Sequence, residues 1–205
     1  YRHPRLLAKT VTTLDRLSRG RAMLGIGAAW YDREHAGLGV PFPSTSERFE
    51  RLEETLQVCL QMWSPNDGPY DGAHFQLAET VNVPPPYGDP HPPILVGGSG
   101  ERKTLRLVAQ YAQMCNLFGE STDAVAHKLD VLRRHCEALG TDYDAIEKSI
   151  ILMADPAGDP DGFLREMETY AALGIDTVCV GPADEDPVAW TTAVCERVVP
   201  RLDLV

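Results

Sequence analysis

The residues of this sequence best suited to chemistry form a glycine-rich turn between an apolar run and an amphipathic segment. Ile94, Leu95 and Val96 form the run, and the turn that follows consists of Gly97, Gly98, Ser99 and Gly100. The glycines have no side chains that would keep a ligand away from the backbone. Free amides in the turn suit it to hold a phosphate, as does the positive end of the following helix, which Ser99 is predicted to cap. A tight strand-to-helix connection that binds nothing would explain the same motif.

Small residues also follow the first predicted strand, which covers residues 22–26. Gly27, Ala28 and Ala29 leave room there for a flat group, and close packing against a neighbouring element is the alternative explanation. Trp30 is large and apolar at the mouth of this strand. We expect it either to line a substrate pocket or to cover the core as a lid.

The elements that must position these residues alternate between strand and helix. Strands are predicted for residues 22–26, 94–96, 114–118, 149–153 and 176–180. Apolar residues at helical spacing predict the helices, and the first helix carries Leu7, Val11, Leu14 and Leu17. This alternation indicates an α/β fold with parallel strands, either an open doubly wound sheet or most of a (β/α)8 barrel. In both architectures ligands bind at the carboxyl ends of the strands, where both groups of small residues lie.

A turn-rich excursion interrupts this alternation over residues 64–92 and contains a predicted hairpin around residues 70–75. Long loops inside a compact fold are often lids or binding loops. We therefore interpret the excursion as part of one domain that covers residues 1–205, and not as a linker between two domains.

Composition excludes several functional classes. The 205 residues are 43% hydrophobic, which is enough for one domain with a real core, and the net charge of −11 argues against a nucleic-acid partner. No apolar run approaches the roughly 20 residues that a membrane helix needs, so we expect a soluble cytoplasmic protein. The cysteines form no CxxC pair and are predicted to be small core residues, not metal ligands or disulfides: Cys59, Cys115, Cys136, Cys179 and Cys195.

Four motifs together resemble a known family. They are Leu14-Asp15-Arg16-Leu17-Ser18-Arg19-Gly20-Arg21, Leu24-Gly25-Ile26-Gly27-Ala28-Ala29-Trp30, the segment 93–100 and Tyr111-Ala112. In order and spacing they resemble the luciferase-like monooxygenase superfamily. Within it, the chain is most similar to actinobacterial oxidoreductases that use the deazaflavin coenzyme F420. The similarity extends from Tyr1 to about Arg201.

The resemblance implies a TIM-type (β/α)8 barrel, of which this chain would supply strands four to eight. It also implies that Gly27, Ala28 and Ala29 border the flavin or deazaflavin ring and that the turn 97–100 holds the cofactor phosphate. The catalytic groups of the family are expected upstream of Tyr1. Within the chain His3 is the catalytic candidate and would contact the cofactor, and a capping or surface role is at least as consistent with its position before Pro4.

Three functions follow as hypotheses from this resemblance. The first is hydride transfer between coenzyme F420 and a small organic substrate. The second is an FMN-dependent monooxygenase that receives reduced flavin from a partner reductase. The third is a non-catalytic, truncated barrel that binds cofactor or a partner chain. Because part of a barrel exposes strand edges and apolar surface, we also expect a homodimer.

Overall fold

Helices and strands alternate in the computed structural model, which describes residues 2–182 and 186–202. The helices are α1 (Pro4–Ser18), α2 (Asp32–Leu38), α3 (Thr45–Met62), α4 (Thr104–Tyr111), α5 (Thr122–Leu139), α6 (Pro160–Ala172), α7 (Pro187–Arg197) and α8 (Val199–Leu202). The strands are β1 (Leu24–Ile26), β2 (Tyr70–Asp71), β3 (Gln76–Leu77), β4 (Ile94–Gly97), β5 (Met114–Phe118), β6 (Glu147–Leu152) and β7 (Thr177–Val180). All five predicted strands are present, with ends that shift by one or two residues.

The described residues form two compact units, one up to Val96 and one from Gly97 onward. In the first unit β1 and β4 pair in parallel, with Leu24 opposite Ile94. Helices α1 and α3 pack together, and their contact buries Ala8 and Leu56 completely. The indole nitrogen of Trp63, which follows α3, donates to the Thr12 hydroxyl at 3.1 Å. This bond satisfies the polar atom of a large buried side chain.

Helix α1 forms where its leucine spacing predicts it, but the leucines do not define its buried face. Leu14 and Leu17 are 54% and 80% exposed, whereas Ala8, Val11 and Asp15 are buried. Burial on this helix therefore follows small and polar residues that fit against α3 and the loop before β4. The pattern of apolar residues alone predicted the helix and not its orientation.

Asp15 attaches the end of α1 to the loop that leads into β4. Its carboxylate is fully buried and accepts from the amides of Tyr87 and Gly88 at 2.7 and 2.9 Å. The neighbouring Arg16 donates through Nε to the Pro85 carbonyl at 2.6 Å. A carboxylate that accepts from two backbone amides forms charge-assisted hydrogen bonds, which are stronger than neutral ones. The Leu14–Arg21 motif thus fixes the approach of the chain to β4.

The predicted hairpin of the excursion is confirmed. Strands β2 and β3 are antiparallel, with Tyr70 opposite Leu77. The Glu54 carboxylate on α3 accepts from the amides of Ala73, His74 and Phe75, at distances between 2.7 and 3.2 Å. Without a charged acceptor these amides of the hairpin loop would be unpaired. The hairpin therefore lies on α3.

The second unit contains a parallel sheet of β5, β6 and β7, with Phe118 opposite Ile151 and Ile151 opposite Cys179. Helix α5 packs against α4 and buries four residues at helical spacing: Val125, Leu129, Leu132 and Cys136. Gly140 ends this helix in the left-handed conformation, with φ of 69°. The sheet and its helices form one apolar core.

The prediction that the cysteines are core residues holds for three of the five. Cys59, Cys115 and Cys136 are buried, and burial raises the pKa of the Cys59 thiol to about 12 and that of Cys115 to about 11. The prediction is wrong for Cys179 and Cys195, which are exposed. Cys179 lies on the open face of β7, and Cys195 lies on α7, a helix with no buried residue. Among the described residues, no helix is long and apolar enough to cross a bilayer.

Candidate functional site

The glycine-rich turn leaves β4 with several backbone amides unpaired. The Gly98 amide donates to the Asn116 carbonyl at 2.9 Å, and Gly98 has φ of 118°, a conformation that side-chain-bearing residues rarely adopt. Within the part of the chain that the structure describes, the amides of Ser99, Gly100 and Glu101 donate to no acceptor. Consecutive unpaired amides in such a turn form a concave site for an anion. The turn is therefore suited to hold a phosphate.

Ser99 does not cap the following helix, so this prediction is wrong. Helix α4 begins at Thr104, and the Ser99 hydroxyl accepts instead from the amide of Phe118 at 3.0 Å. Residues 101–103 form an intervening turn, which places Ser99 too far from the first helical amides to reach them. Ser99 therefore ties the turn to the carboxyl end of β5.

Thr104 approaches Gly100 closely and leaves little space for a side chain there. A Cβ atom at this position would lie 2.8 Å from the Thr104 hydroxyl oxygen, closer than real Cβ contacts are found. By contrast, a Cβ atom at Gly97 would meet nothing within 4 Å. The start of the turn thus faces open space, and its end is packed against the first residue of α4.

Helix α5 holds the residue that follows the turn. The Glu101 carboxylate lies 2.5 Å from Lys128 Nζ and 3.1 Å from His127 Nε2, and His135 Nε2 donates to the Glu101 carbonyl at 2.7 Å. The hydrogen bond from Lys128, together with the charges of Lys128 and His127, holds the pKa of Glu101 below its ordinary value. Because Lys128 pairs with this carboxylate, Glu101 repels a nearby anion less.

Sequence analysis did not anticipate this anchoring cluster. One signal was available. Lys128 and His135 are seven residues apart and so lie on one face of α5. Nothing in the local sequence identified Glu101 as their partner, since that contact depends on how α5 packs beside the turn.

The segment after β1 differs in kind. Ala29 has φ of 59°, which is unusual for a residue with a side chain. Trp30 is 82% exposed, and its ring lies 5.3 Å from that of Tyr31 at an angle of 37°. Two large aromatic side chains are thus presented to the surroundings directly after a strand.

The pairing of β1 with β4 determines where the segment after β1 and the glycine-rich turn after β4 begin. Ile26 lies opposite Val96 in a parallel pair, so the chain leaves both strands at the carboxyl edge of the first unit's sheet. The roles predicted for Gly27, Ala28 and Ala29 beside a ring, and for Trp30 in a substrate pocket, remain predictions.

His3 has a structural role at the start of α1. Its Nδ1 accepts from the Arg5 amide at 3.3 Å and caps the helix. Its ring lies in a T-shaped arrangement with that of Phe75, with 5.7 Å between the ring centroids. The capping role therefore has direct evidence, and contact with a cofactor remains a prediction. Among residues 2–182 and 186–202, no group of three or more His, Cys, Asp or Glu side chains is placed to hold a metal ion.

Comparison with known proteins gives relatives of two cofactor types. An uncharacterized protein of Mycobacterium tuberculosis is 29% identical over 95% of this chain and 65% of its own length. An F420-dependent glucose-6-phosphate dehydrogenase of Kineococcus radiotolerans is 30% identical over 84% of this chain and 51% of its own length. An FMNH(2)-dependent dimethylsulfone monooxygenase of Pseudomonas putida is 26% identical over 96% of this chain and 56% of its own length. The chain therefore spans less than two thirds of the length of these relatives.

Solved structures share the fold. An F420-dependent secondary alcohol dehydrogenase in complex with an F420-acetone adduct matches 98% of this chain and 75% of its own with a TM-score of 0.82 and 18% identity. The coenzyme F420 dependent tetrahydromethanopterin reductase from Methanopyrus kandleri matches 98% and 80%, with a TM-score of 0.79 and 15% identity. The luciferase-like monooxygenase profile matches residues 1–173. The resemblance and the fold class predicted from the sequence are thus confirmed: the chain belongs to the luciferase-like monooxygenase family and forms part of its (β/α)8 barrel.

Proposed function

We propose that the protein containing this chain is an oxidoreductase that binds coenzyme F420 and transfers hydride to or from a small organic substrate. One observation carries the proposal: the unpaired amides of Ser99, Gly100 and Glu101 follow a glycine with φ of 118°. Such amides match the charge and geometry of a cofactor phosphate. An oxidoreductase function is also in keeping with the two cofactor-dependent relatives.

The residues of the chain have distinct tasks in this proposal. The amides of the turn bind the phosphate, and the contact from Ser99 to Phe118 fixes the turn on the sheet. Lys128 and His135 hold Glu101, so the third amide stays in position. We assign the ring of the coenzyme to Gly27, Ala28 and Ala29, since their small side chains leave room for it. When bound, the deazaflavin supplies the hydride chemistry, while the protein binds and orients.

An FMN-dependent monooxygenase is the second candidate. The Pseudomonas relative carries FMNH(2) in its name, and an anion site made of backbone amides accepts the phosphate of either cofactor. The preference for F420 is supported by the Kineococcus relative, which is 30% identical, and by the structural neighbour with a TM-score of 0.82. A non-catalytic barrel that binds cofactor or a partner chain is the third candidate.

A titration of the purified protein with F420 and, separately, with FMN tests the proposal by absorbance and fluorescence. We expect F420 to bind and Gly98→Ala to weaken its binding by about tenfold, because alanine strains the backbone at φ of 118°. Gly174→Ala is the matched control, since Gly174 also has a positive φ of 84° but lies before β7. Tight binding of FMN without binding of F420 would reject the first candidate in favour of the monooxygenase. Binding of neither would favour the non-catalytic barrel.

Dimerisation is a separate proposal. It is supported by Leu14 and Leu17, which α1 exposes on the first unit. Light scattering at micromolar concentration is expected to give the mass of two chains. The mass of a single chain would contradict the proposal.

A further inference from the structure

The open face of the second unit's sheet becomes apolar toward its carboxyl edge. Phe118, Ile151 and Cys179 lie side by side on β5, β6 and β7. Phe118 is 56% exposed and Ile151 39%, whereas their sequence neighbours Leu117 and Ile150 are fully buried. Since side chains alternate between the faces of a strand, one face packs under helices and the other is open.

The apolar surface continues beyond the strand. Met153, just after β6, is 99% exposed. One layer further from the carboxyl edge the open face is polar but internally satisfied. There Asn116 Nδ2 donates to Ser149 Oγ at 2.9 Å, and that hydroxyl donates to the Cys115 carbonyl at 2.7 Å. The groups left to meet a ligand at the edge are therefore the apolar ones.

The loops at this edge carry acidic and no basic residues. Residues 119–121 after β5 contain Glu120, and residues 153–159 after β6 contain Asp155 and Asp159, with no lysine or arginine in either loop. Asp155 is already engaged, since its carboxylate accepts from the Trp190 indole nitrogen at 2.9 Å. An anionic group on a substrate would thus meet like charge from these two loops, since the Arg197 guanidinium that reaches the second loop is bound to the Ala157 carbonyl at 2.7 Å.

This surface is continuous with the turn that we assign to the coenzyme phosphate. The amide of Phe118 donates to the Ser99 hydroxyl, so the first residue of the apolar row is hydrogen-bonded to the turn itself. In (β/α)8 barrels the carboxyl ends of the strands carry the active site. An apolar surface at this edge therefore bears on which substrate is accepted.

We propose that Phe118, Ile151 and Met153 line the substrate site and select uncharged, apolar substrates over phosphorylated ones. This inference rests on the proposed function and names the substrate class for it. Ligand pockets are mostly apolar with a few polar groups that fix orientation, and an apolar wall rejects a phosphate because it cannot replace the lost hydration. The phosphate-binding amides of the turn remain for the coenzyme.

Saturation-transfer NMR with cyclohexanol and with glucose 6-phosphate tests the inference. The unmodified protein is expected to bind cyclohexanol and to show no transfer to glucose 6-phosphate. Met153→Lys is expected to weaken cyclohexanol binding by about fivefold, because it places a hydrated charge on the apolar surface. Since Met153 is almost fully exposed, the substitution should not disturb folding. Val188→Lys is the matched control, at a 75% exposed position on α7, and should have no effect.

Three results would overturn the inference: tighter binding of glucose 6-phosphate than of cyclohexanol, no binding of cyclohexanol, or equal effects of the two lysine substitutions. Phe118→Ala adds a second test, with a smaller loss of cyclohexanol binding expected. Titration with F420 on the same samples separates the two proposals. Coenzyme binding together with any of these three results rejects the substrate class alone, whereas a failure to bind F420 rejects the proposed function.

Discussion

The segment after β1 and the turn after β4 both start at the carboxyl end of a parallel strand, yet they offer different surfaces. The first presents side chains, with Trp30 82% exposed beside Tyr31. The second presents backbone, since the amides after Gly98 are unpaired among the described residues. Neighbouring strands of one fold thus present different groups at their carboxyl ends, unpaired amides after β4 and aromatic side chains after β1.

The two segments also differ in how firmly they are held. Lys128 and His135 bind the side chain and the carbonyl of Glu101, directly after the turn. Helix α2, after the aromatic pair, begins at Asp32 without a side-chain cap. A rigid backbone lowers the entropy cost of binding, because binding then orders fewer groups. The aromatic segment is the one better suited to adapt.

The largest effect is expected where the chain approaches the turn. Asp15→Ala removes the buried carboxylate that accepts from the amides of Tyr87 and Gly88, so the free energy of unfolding should fall by about 3 kcal/mol. Urea unfolding followed by circular dichroism measures this change. Asp71→Ala, at an exposed position of β2, is the control and should change it by less than about 0.5 kcal/mol. Equal effects would show that the carboxylate of Asp15 does not hold the loop before β4.

A smaller effect is expected from the positive φ of the first segment. Ala29→Val should lower the free energy of unfolding by about 1 to 2 kcal/mol, since a β-branched residue at φ of 59° is strained. Ala29→Gly should leave stability nearly unchanged, because the relief of strain offsets the entropy of the more flexible unfolded chain. Thermal unfolding of the two variants tests this. Similar values for valine and glycine would mean that the backbone there is not held at positive φ.

The role of His135 in holding the residue after the glycine-rich turn can be tested by substitution. His135→Ala should lower the free energy of unfolding by about 1 kcal/mol, because the Glu101 carbonyl loses its donor. It should also weaken F420 binding severalfold. His135→Gln, which keeps a donor, is expected to restore part of both, and an equal loss in both variants would contradict a positioning role.

The smallest effect concerns the charge of Glu101. Lys128→Met should raise the pKa of the Glu101 carboxyl toward its ordinary value, because Lys128 is the main group that lowers it. Because folding lowers the pKa of Glu101, its ionised carboxylate stabilises the folded state. This stabilisation is present above the ordinary carboxyl pKa and is lost as the pH falls through the lowered pKa. An NMR titration of the Glu101 carboxyl measures the shift, with Lys9→Met as the control. An unchanged pKa of Glu101 in Lys128→Met would contradict the ion pair between Lys128 and Glu101.

Sequence reasoning found the order of elements and the family, and it placed the glycine turn correctly at a strand end. It assigned the Ser99 hydroxyl to α4, whereas the structure pairs it with Phe118. It did not pair His127 and His135 with Glu101, whereas the structure shows both contacts. These errors share a cause: each residue bonds to an element at least 19 positions away, which no local pattern reports.

The sequence by itself determined where strands and helices alternate, where the glycine-rich turn lies and which family the motifs resemble. Local rules suffice for these features, because periodicity and glycine act on residues near in sequence. Only the tertiary structure decided that Asp15 would hold the loop before β4 and that α5 would hold Glu101. It also decided that Phe118 and Ile151 would share an open face. Hydrogen bonds and burial join residues distant in the chain, and packing alone brings them together.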